Sequence, residues 1–473
     1  MTSHPTPANA HHPVLIALIA ASALFMEILD ATAIAPAVPK IAESFQTNAT
    51  AISAGISFYL ITVAIFIPSS AWLTERFGAR AVFAVAIAIF TIASVLCGLS
   101  ENLTQFTLAR VLQGIGGAMM SPVGRLEVLR RTDKTELLRV IAFLTWPGLS
   151  AFAFGPPLGG LLTTYLSWHW IFFINVPIGI AGIALVLIFF ERGTGRATRR
   201  FDGLGFVLNG GALASILYSL EQIARDGVKP VAAALLAAGT MAGILALRHA
   251  GRHPAPLLPV SALKVATFRI GTLTGGGLFR VSVGATAFLL PVMFQIGFGM
   301  TAFNAGLLVF CFLMGDLAAK SFANRIARRY GFWSVLVFDG LLIFITGMGL
   351  VLLTPQTPLW LIVAVLVVAG MVRSVQFTAL NSLAFADIPP EEMSNASTIS
   401  SMLHSVMMGA GVTVAAMTLN ATAALRASID AELTLFDFHV ALAVMALLAL
   451  IAIIAYIPMD RDAGAHVTQQ PSQ

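Results

Sequence analysis

Residues 14–38 read VLIALIAASALFMEILDATAIAPAV, an apolar run interrupted by only two charges, Glu27 and Asp30. At 1.5 Å of rise per residue, a helix needs about 20 apolar residues to cross about 30 Å of hydrocarbon. This run is long enough to span. It is also too long for the core of a secretory leader and lacks a clean small-residue cleavage site, so it is expected to stay as a first membrane helix.

Working outward from it, similar windows recur near 51–73, 81–99, 103–124, 139–165 and 169–190, then near 204–221 and 231–247, and finally near 268–298, 303–320, 332–353, 358–384, 396–420 and 437–457. The layout is six, two, six. Composition agrees: the chain is 58% hydrophobic and 10% charged, whereas soluble domains carry about 25% charged residues. The formal charge of +5 does not point to nucleic acid, because the basic residues sit in short loops beside apolar runs, where they orient helices. Cys97 and Cys311 lie inside apolar segments in different halves, without metal-ligand spacing, and read as packing thiols.

Of the 27 Lys and Arg, twenty fall on one alternating set of loops and the tail, four on the other set (Lys40, Arg225, Lys229, Arg426), and Arg110, Arg280 and Arg373 fall inside helices. Cytoplasmic loops retain positive charge, so this bias predicts an even helix count with both termini cytoplasmic. Residues 1–12 hold no Lys or Arg and the loop with Asp387, Glu391 and Glu392 is acidic, so neither contributes to that bias. The halves echo one another: Leu73-Thr74-Glu75-Arg76-Phe77-Gly78 resembles Ala327-Arg328-Arg329-Tyr330-Gly331. Repeated six-helix halves place a transport site between them near midplane. The expected organisation is an N-terminal bundle over 1–190, a linker with an extra helix pair over 191–267, a C-terminal bundle over 268–457 and a cytoplasmic tail over 458–473.

Several local patterns carry mechanism. Gly155, Gly159 and Gly160 clear one helix face for a neighbouring backbone, while Pro156 and Pro157 bend that helix. Glu75, Arg76 and Arg80 make a charged turn at a helix end, suited to holding one closed state through charge and helix-dipole contacts. Charges inside helices are costly in hydrocarbon and mark function or a partner. Glu27 and Asp30 share a helix face, being three apart. Asp30 and Arg110 lie at matching depth, which predicts a pair; a fixed ion pair and a gating role stand equally open for Asp30. Glu27, near midplane, is the expected proton carrier. Arg280 is the expected substrate contact and Arg373 a weaker one. Asp316 and Asp339 are expected to partner Lys320, Arg325, Arg328 and Arg329, and His404 reads as a packing histidine rather than a relay.

Longer motifs add a resemblance. Leu29-Asp30-Ala31-Thr32 with Pro39, Ala71-Trp72-Leu73-Thr74-Glu75-Arg76-Phe77-Gly78-Ala79-Arg80, Arg110-Val111-Leu112-Gln113-Gly114-Ile115-Gly116-Gly117 and Gly155-Pro156-Pro157-Leu158-Gly159-Gly160 are joined by Trp168-His169-Trp170-Ile171-Phe172-Phe173-Ile174-Asn175-Val176-Pro177 and Arg200-Phe201-Asp202-Gly203-Leu204-Gly205. Together, over most of the chain, they resemble the fourteen-helix drug:proton antiporters of the major facilitator superfamily. Ala35, Ala71 and Glu75 stand where that pattern has Asn, Gly and Asp.

The resemblance implies an all-α membrane fold of two six-helix bundles plus an extra pair, and export of a small molecule across the inner membrane in exchange for protons. It implies no enzyme activity, cofactor or metal, and a monomer whose partners are substrate, protons and lipid. Site residues follow: Glu27, Asp30 and Arg110 for proton coupling, Arg280, Arg373, Gln113 and Asn175 for substrate, and Glu75, Arg76, Gly78, Arg80, Gly155, Pro156 and Gly159 for gating. No Gly-rich phosphate loop ends in Lys-Ser or Lys-Thr, since Lys320-Ser321 follows Ala319, so ATP-driven pumping is excluded. Rival readings are an exporter of a small organic anion or metal chelate, uptake by symport or facilitated diffusion, a channel, and a non-transporting membrane sensor.

Overall fold

The computed structural model describes residues 13–130, 132, 136–191, 200–227, 229–426 and 432–464. The expectations resting on Arg131, Lys134, Arg192, Arg196, Arg199, the Arg225 side chain and both chain ends fall outside the described residues. Every described element is helical.

The first set is α1 (Pro13–Ala33), α2 (Val38–Ser44), α3 (Ala49–Phe77), α4 (Ala79–Gly98), α5 (Leu103–Arg130), α6 (Leu137–Tyr165), α7 (Trp170–Phe173) and α8 (Asn175–Phe189). The extra pair is α9 (Gly203–Asp226) and α10 (Pro230–Arg252). The second set is α11 (Ala266–Thr272), α12 (Gly275–Val292), α13 (Ala302–Tyr330), α14 (Phe332–Val351), α15 (Leu359–Ala386), α16 (Met393–Arg426) and α17 (Leu435–Tyr456).

Three of the expected spans are broken rather than continuous. The first turns at Ala35–Ala37, where Pro36 and Pro39 interrupt the hydrogen-bond ladder. The sixth breaks at Ile174, between α7 and α8. The span expected over 268–298 breaks between Thr272 and Gly275, in a glycine-rich stretch, and ends in a π turn over Met293–Gly297. Helix starts follow local chemistry: the side chains of Asn48, Asp202 and Thr301 accept from the third amide onward, and Thr434 with Asp437 forms a capping box. Gly78 at φ 82° and Gly331 at φ 76° end α3 and α13 with the same backbone turn, so the loop echo read in the sequence is a structural repeat.

Among the described residues, thirteen helical segments are long and apolar enough to cross a membrane. The remaining rod, α5, has 28 residues and is more polar, because it brings Arg110 and Gln113 into the protein interior. Val85, Ile92, Ile188, Val207, Phe338, Ile345 and Ile454 are exposed on the outside of the rods, a surface suited to lipid.

Helix pairing repeats between the sets. In the first, α1 packs on α6, α3 on α5 and α4 on α8; in the second, α12 packs on α16, α13 on α15 and α14 on α17. The sets meet through α3 against α16 and α6 against α13. The extra pair is no free appendage: α9 leans on both α3 and α16, with Phe66 against Phe206 and Phe58 against Tyr218, and α10 packs on α9.

One apolar cluster draws on both sets, including Ile34, Ile52, Phe106 and Phe172 with Phe288, Leu289, Phe312 and Leu419. Two others each stay within one set, around Phe83, Phe90 and Met120 in the first and Phe279, Leu336 and Leu380 in the second. The sets are therefore sealed together at one end and separately packed at the other. The sealed end carries Lys40, Lys229 and Arg426; the other carries the Arg-rich loops.

Candidate transport site

The first set holds a buried polar network within its apolar core. Asp30 on α1 meets Arg110 on α5 at 2.5 Å, with both side chains wholly buried. Gln113, one turn beyond Arg110, donates to Asp30 Oδ1 at 2.9 Å and to Ser94 Oγ on α4 at 2.9 Å, and its Oε1 accepts from Arg110 at 2.6 Å. Asn175, the first residue of α8, donates to Asp30 and Ser94 at 3.3 Å each. The Arg110 guanidinium also lies 4.3 Å from the Tyr59 ring centroid. Four helices are thus fastened through one carboxylate, and a buried charge of this kind is tolerable because it is paired and hydrogen-bonded on several sides.

Glu27 lies one turn earlier on the same face of α1. It is partly accessible, yet its Oε2 is buried with no hydrogen-bond partner. It differs from Asp30 in having no cation: among the described residues no ion pair to Glu27 occurs.

The four substrate candidates do not come together. Gln113 and Asn175 are fully buried, with their amides engaged by Asp30 and Ser94, because the carboxylate needs donors that the apolar core does not supply. Arg280 is 2% exposed and turned onto the break between α11 and α12. It donates to the carbonyls of Gly271 at 2.8 Å and Gly276 at 3.2 Å, and to Asn381 Oδ1 at 3.0 Å. The end of α11 leaves the Gly271 carbonyl without an amide partner, and the guanidinium satisfies it while also reaching Gly276 and Asn381. The guanidinium expected to meet substrate is here engaged with backbone carbonyls and Asn381. Arg373 pairs with Asp316 at 3.2 Å and lies over Phe312 of its own set and Phe152 of the other. It lines a pocket with Phe279, Ser282, Thr286, Phe312 and Thr346.

Asp316 takes Arg373 and, at 3.8 Å, Lys320; among the described residues Asp339 has no basic partner, contrary to the expected pairing with Lys320, Arg325, Arg328 or Arg329. His404 packs edge-on against Phe377.

The gating candidates fall at two places. Gly155 abuts Thr32 and Gly159 abuts the Ala33 carbonyl of α1, while Gly160 abuts the Ala302 carbonyl and the Pro156 carbonyl faces Gly306 of α13. The glycine-proline face of α6 is therefore wedged between its own set and the other, at distances a side chain would forbid. Glu75 and Arg76 are exposed at the end of α3 beside Gly78, and Arg80 donates to the Leu187 carbonyl of α8.

Contacts between the sets were not legible in the sequence. Thr50 on α3 donates to Asn420 Oδ1 on α16 at 2.8 Å, and Asn420 in turn donates to the Ala224 carbonyl of α9 at 2.9 Å. Gln295, in the π turn, donates to the Pro36 carbonyl at 2.9 Å, and the Phe303 amide to Thr164 at 3.1 Å. All lie at the sealed end. A lone amide in an apolar run, as at Asn420, was the available signal.

A family model described as Major Facilitator Superfamily matches residues 20–412. Relatives from Cronobacter sakazakii and Escherichia coli carry the name MdtD and a provisional assignment to multidrug resistance. The first is 38% identical over 407 residues, 85% of each chain, and the second 37% identical over 435 residues, 91% of each. A Serratia proteamaculans relative of the same name is 34% identical over 96% of this chain and 95% of its own. Among solved structures, the POT family transporter PepTSo aligns at TM-score 0.68 with 14% identity, covering 97% of this chain and 99% of that one. A bacterial homologue of the lysosomal transporter Spinster aligns at 0.64 with 13% identity over 97% and 98%. At such identities the structural likeness speaks for the fold alone. With the repeated helix pairing and the match across most of its length, the chain belongs to the Major Facilitator Superfamily and is a multi-pass membrane transporter of small molecules rather than an enzyme.

Proposed function

We propose that the chain exports small molecules across the inner membrane in exchange for protons, by alternating access between a bundle of residues 1–190 and one of residues 268–457. Residues 191–267 link them and carry the extra pair, residues 458–473 form a cytoplasmic tail, and the monomer is the working unit. The Arg-rich end faces the cytoplasm, so the sealed end faces outward and the conformation is inward-open. The names of the relatives support drug-like substrates.

The observation that carries the exchange reading is the contrast along one face of α1. Asp30 is fixed by Arg110 and two amides, whereas Glu27 is partly accessible and leaves one buried carboxylate oxygen without a partner. A carboxyl free of a fixed cation can take up and release a proton as access alternates; one locked in an ion pair holds the bundle together. Glu27 is therefore the proton carrier, and Asp30 with Arg110 the frame that holds α1 in place. The glycine face of α6 is the surface on which the bundles rock, and the turn of Glu75, Arg76, Gly78 and Arg80 the latch at the inner end.

The test is transport into proteoliposomes under an imposed pH gradient, screened over cationic dyes and small organic acids. Glu27→Gln, which mimics the protonated acid, should keep folding and substrate exchange while losing gradient-driven export. Gradient-driven export by Glu27→Gln at the parental rate, together with its loss in Asp30→Asn, would transfer the carrier role to Asp30.

A further inference from the structure

The second set contains a group of buried polar side chains that transport through the first set does not use. Asp339 on α14 is 7% exposed and its Oδ2 has no hydrogen-bond partner. Gln376 on α15 is 1% exposed with Oε1 unpartnered; its amide donates to the Leu336 carbonyl of α14, at 3.4 Å. Tyr456 on α17 is fully buried, and its hydroxyl lies beside Gln376 without meeting hydrogen-bond geometry. Three neighbouring helices thus each bring a buried oxygen without a hydrogen-bond partner: Asp339 Oδ2, Gln376 Oε1 and the Tyr456 hydroxyl.

The charged groups around it are engaged elsewhere. On α15, Arg373 is paired with Asp316 of α13, which also takes Lys320. On α12, Arg280 caps the carbonyls of Gly271 and Gly276 and reaches Asn381. On α17, Tyr456 brings a neutral hydroxyl. Among the described residues Asp339 is therefore a buried carboxyl without a cation, unlike Asp30, Asp316 and Asp437, each of which has an arginine.

A pocket lies nearby. It is lined by Arg373, Ile343, Thr346 and Gly347; Ile343 stands one helical turn from Asp339 on α14, and Arg373 one turn from Gln376 on α15.

We propose that Asp339 is a second protonation site, in the second bundle, one helical turn from this pocket. A proton on its carboxylate removes the unpaired charge and makes the carboxyl a donor, for which the unpartnered Gln376 Oε1 is an acceptor. The balance is one proton taken from water onto the Asp339 carboxylate and one returned on release. Its role in coupling rests on the proton-exchange reading above; its capacity to bind a proton does not.

The experiment separates the two. Infrared spectra of the purified chain in lipid nanodiscs, without substrate, are recorded from mildly acidic to mildly alkaline pH. The carbonyl band of protonated carboxyls should contain, beside the Glu27 contribution, a component that is lost in Asp339→Asn and shifted in Gln376→Leu. Identical bands in parent and Asp339→Asn at every pH would overturn the site, and should the asparagine variant fail to fold, an unshifted band in Gln376→Leu would do so. In proteoliposomes, protons moved per substrate should fall by about half in Asp339→Asn, since one of two carriers is removed. An unchanged ratio would overturn the coupling role, whereas a parent indifferent to the pH gradient would remove the exchange reading and leave the infrared result to decide the site.

Discussion

The two bundles share their helix pairing but not their chemistry. The first gathers its buried polar groups into one network, with Asp30 held by Arg110, Gln113 and Asn175 across three helices and Ser94 adding a fourth. The second disperses them: Arg280 caps a helix break, Arg373 holds Asp316, and Asp339 stands without a cation. Pairing is set by small residues and apolar faces, which both halves repeat. Buried charges are placed singly and can diverge without disturbing it. One bundle is thereby a rigid frame beside Glu27, and the other a looser set of local ties.

Breaking the frame should have the largest effect. Asp30→Ala or Arg110→Ala each strands a charge that is wholly buried, which costs about 3–5 kcal/mol when one partner of such a pair is removed. Thermal unfolding in detergent should show a marked loss for either change, and Asp30→Arg combined with Arg110→Asp should recover part of it. Equal damage in all three, without coupling, would mean that the pair does not hold the first bundle together.

The second bundle should respond more mildly. Arg280→Lys keeps the charge but loses the fork that serves Gly271, Gly276 and Asn381 together. A loss of about 1–3 kcal/mol is expected, the scale of leaving buried acceptors unsatisfied. The substrate profile in the transport screen should be unchanged. Parental stability with loss of organic-acid export would instead restore Arg280 to the substrate surface and erase this side of the contrast.

How far the sequence reached follows the same division. Span count, the loop repeat at Gly78 and Gly331, the depth match of Asp30 with Arg110 and the close-packed face of α6 were legible, because each depends on local periodicity or on residues that only a few backbones accept. The proline-bearing turn after α1 and the break before α12 were not resolved, since an apolar run looks continuous whether or not its backbone bonds are. That hidden break is why the contacts of Arg280 were not foreseen: two of its partners are carbonyls, which leave no mark in side-chain identity. Gln113 and Asn175 were assigned to substrate for a related reason, since a polar residue in a membrane helix signals a partner without saying which. Asp339 was given the nearest basic residues in sequence, and among the described residues none of them pairs with it.

The smallest effect is expected at the water-exposed rim, where a third carboxylate sharpens the comparison with Asp30. Asp202 caps α9, accepting from the Gly205 amide at 2.9 Å and the Leu257 amide at 3.0 Å, and meets His249 of α10 at 2.8 Å. It thus clasps the start and end of the extra pair to the segment leading into the second bundle. Burial pushes its carboxyl up, but the Leu257 and Gly205 amides and the His249 ring outweigh that and hold it below the usual carboxylate range. Because the folded value lies below the unfolded one, the clasp contributes fully above the ordinary aspartate range and is lost as pH falls through the lowered folded value. The Trp72 ring packs 4.8 Å from Phe201, next to Asp202, so Trp72 fluorescence is a local reporter. Its acid transition should be present in the parent and flattened in Asp202→Asn, which should cost about 1 kcal/mol at neutral pH, the worth of a single hydrogen bond. An unchanged acid transition in Asp202→Asn would place the responsible carboxylate elsewhere at the rim, while Asp30, shielded by Arg110 inside the bilayer, should leave this signal untouched.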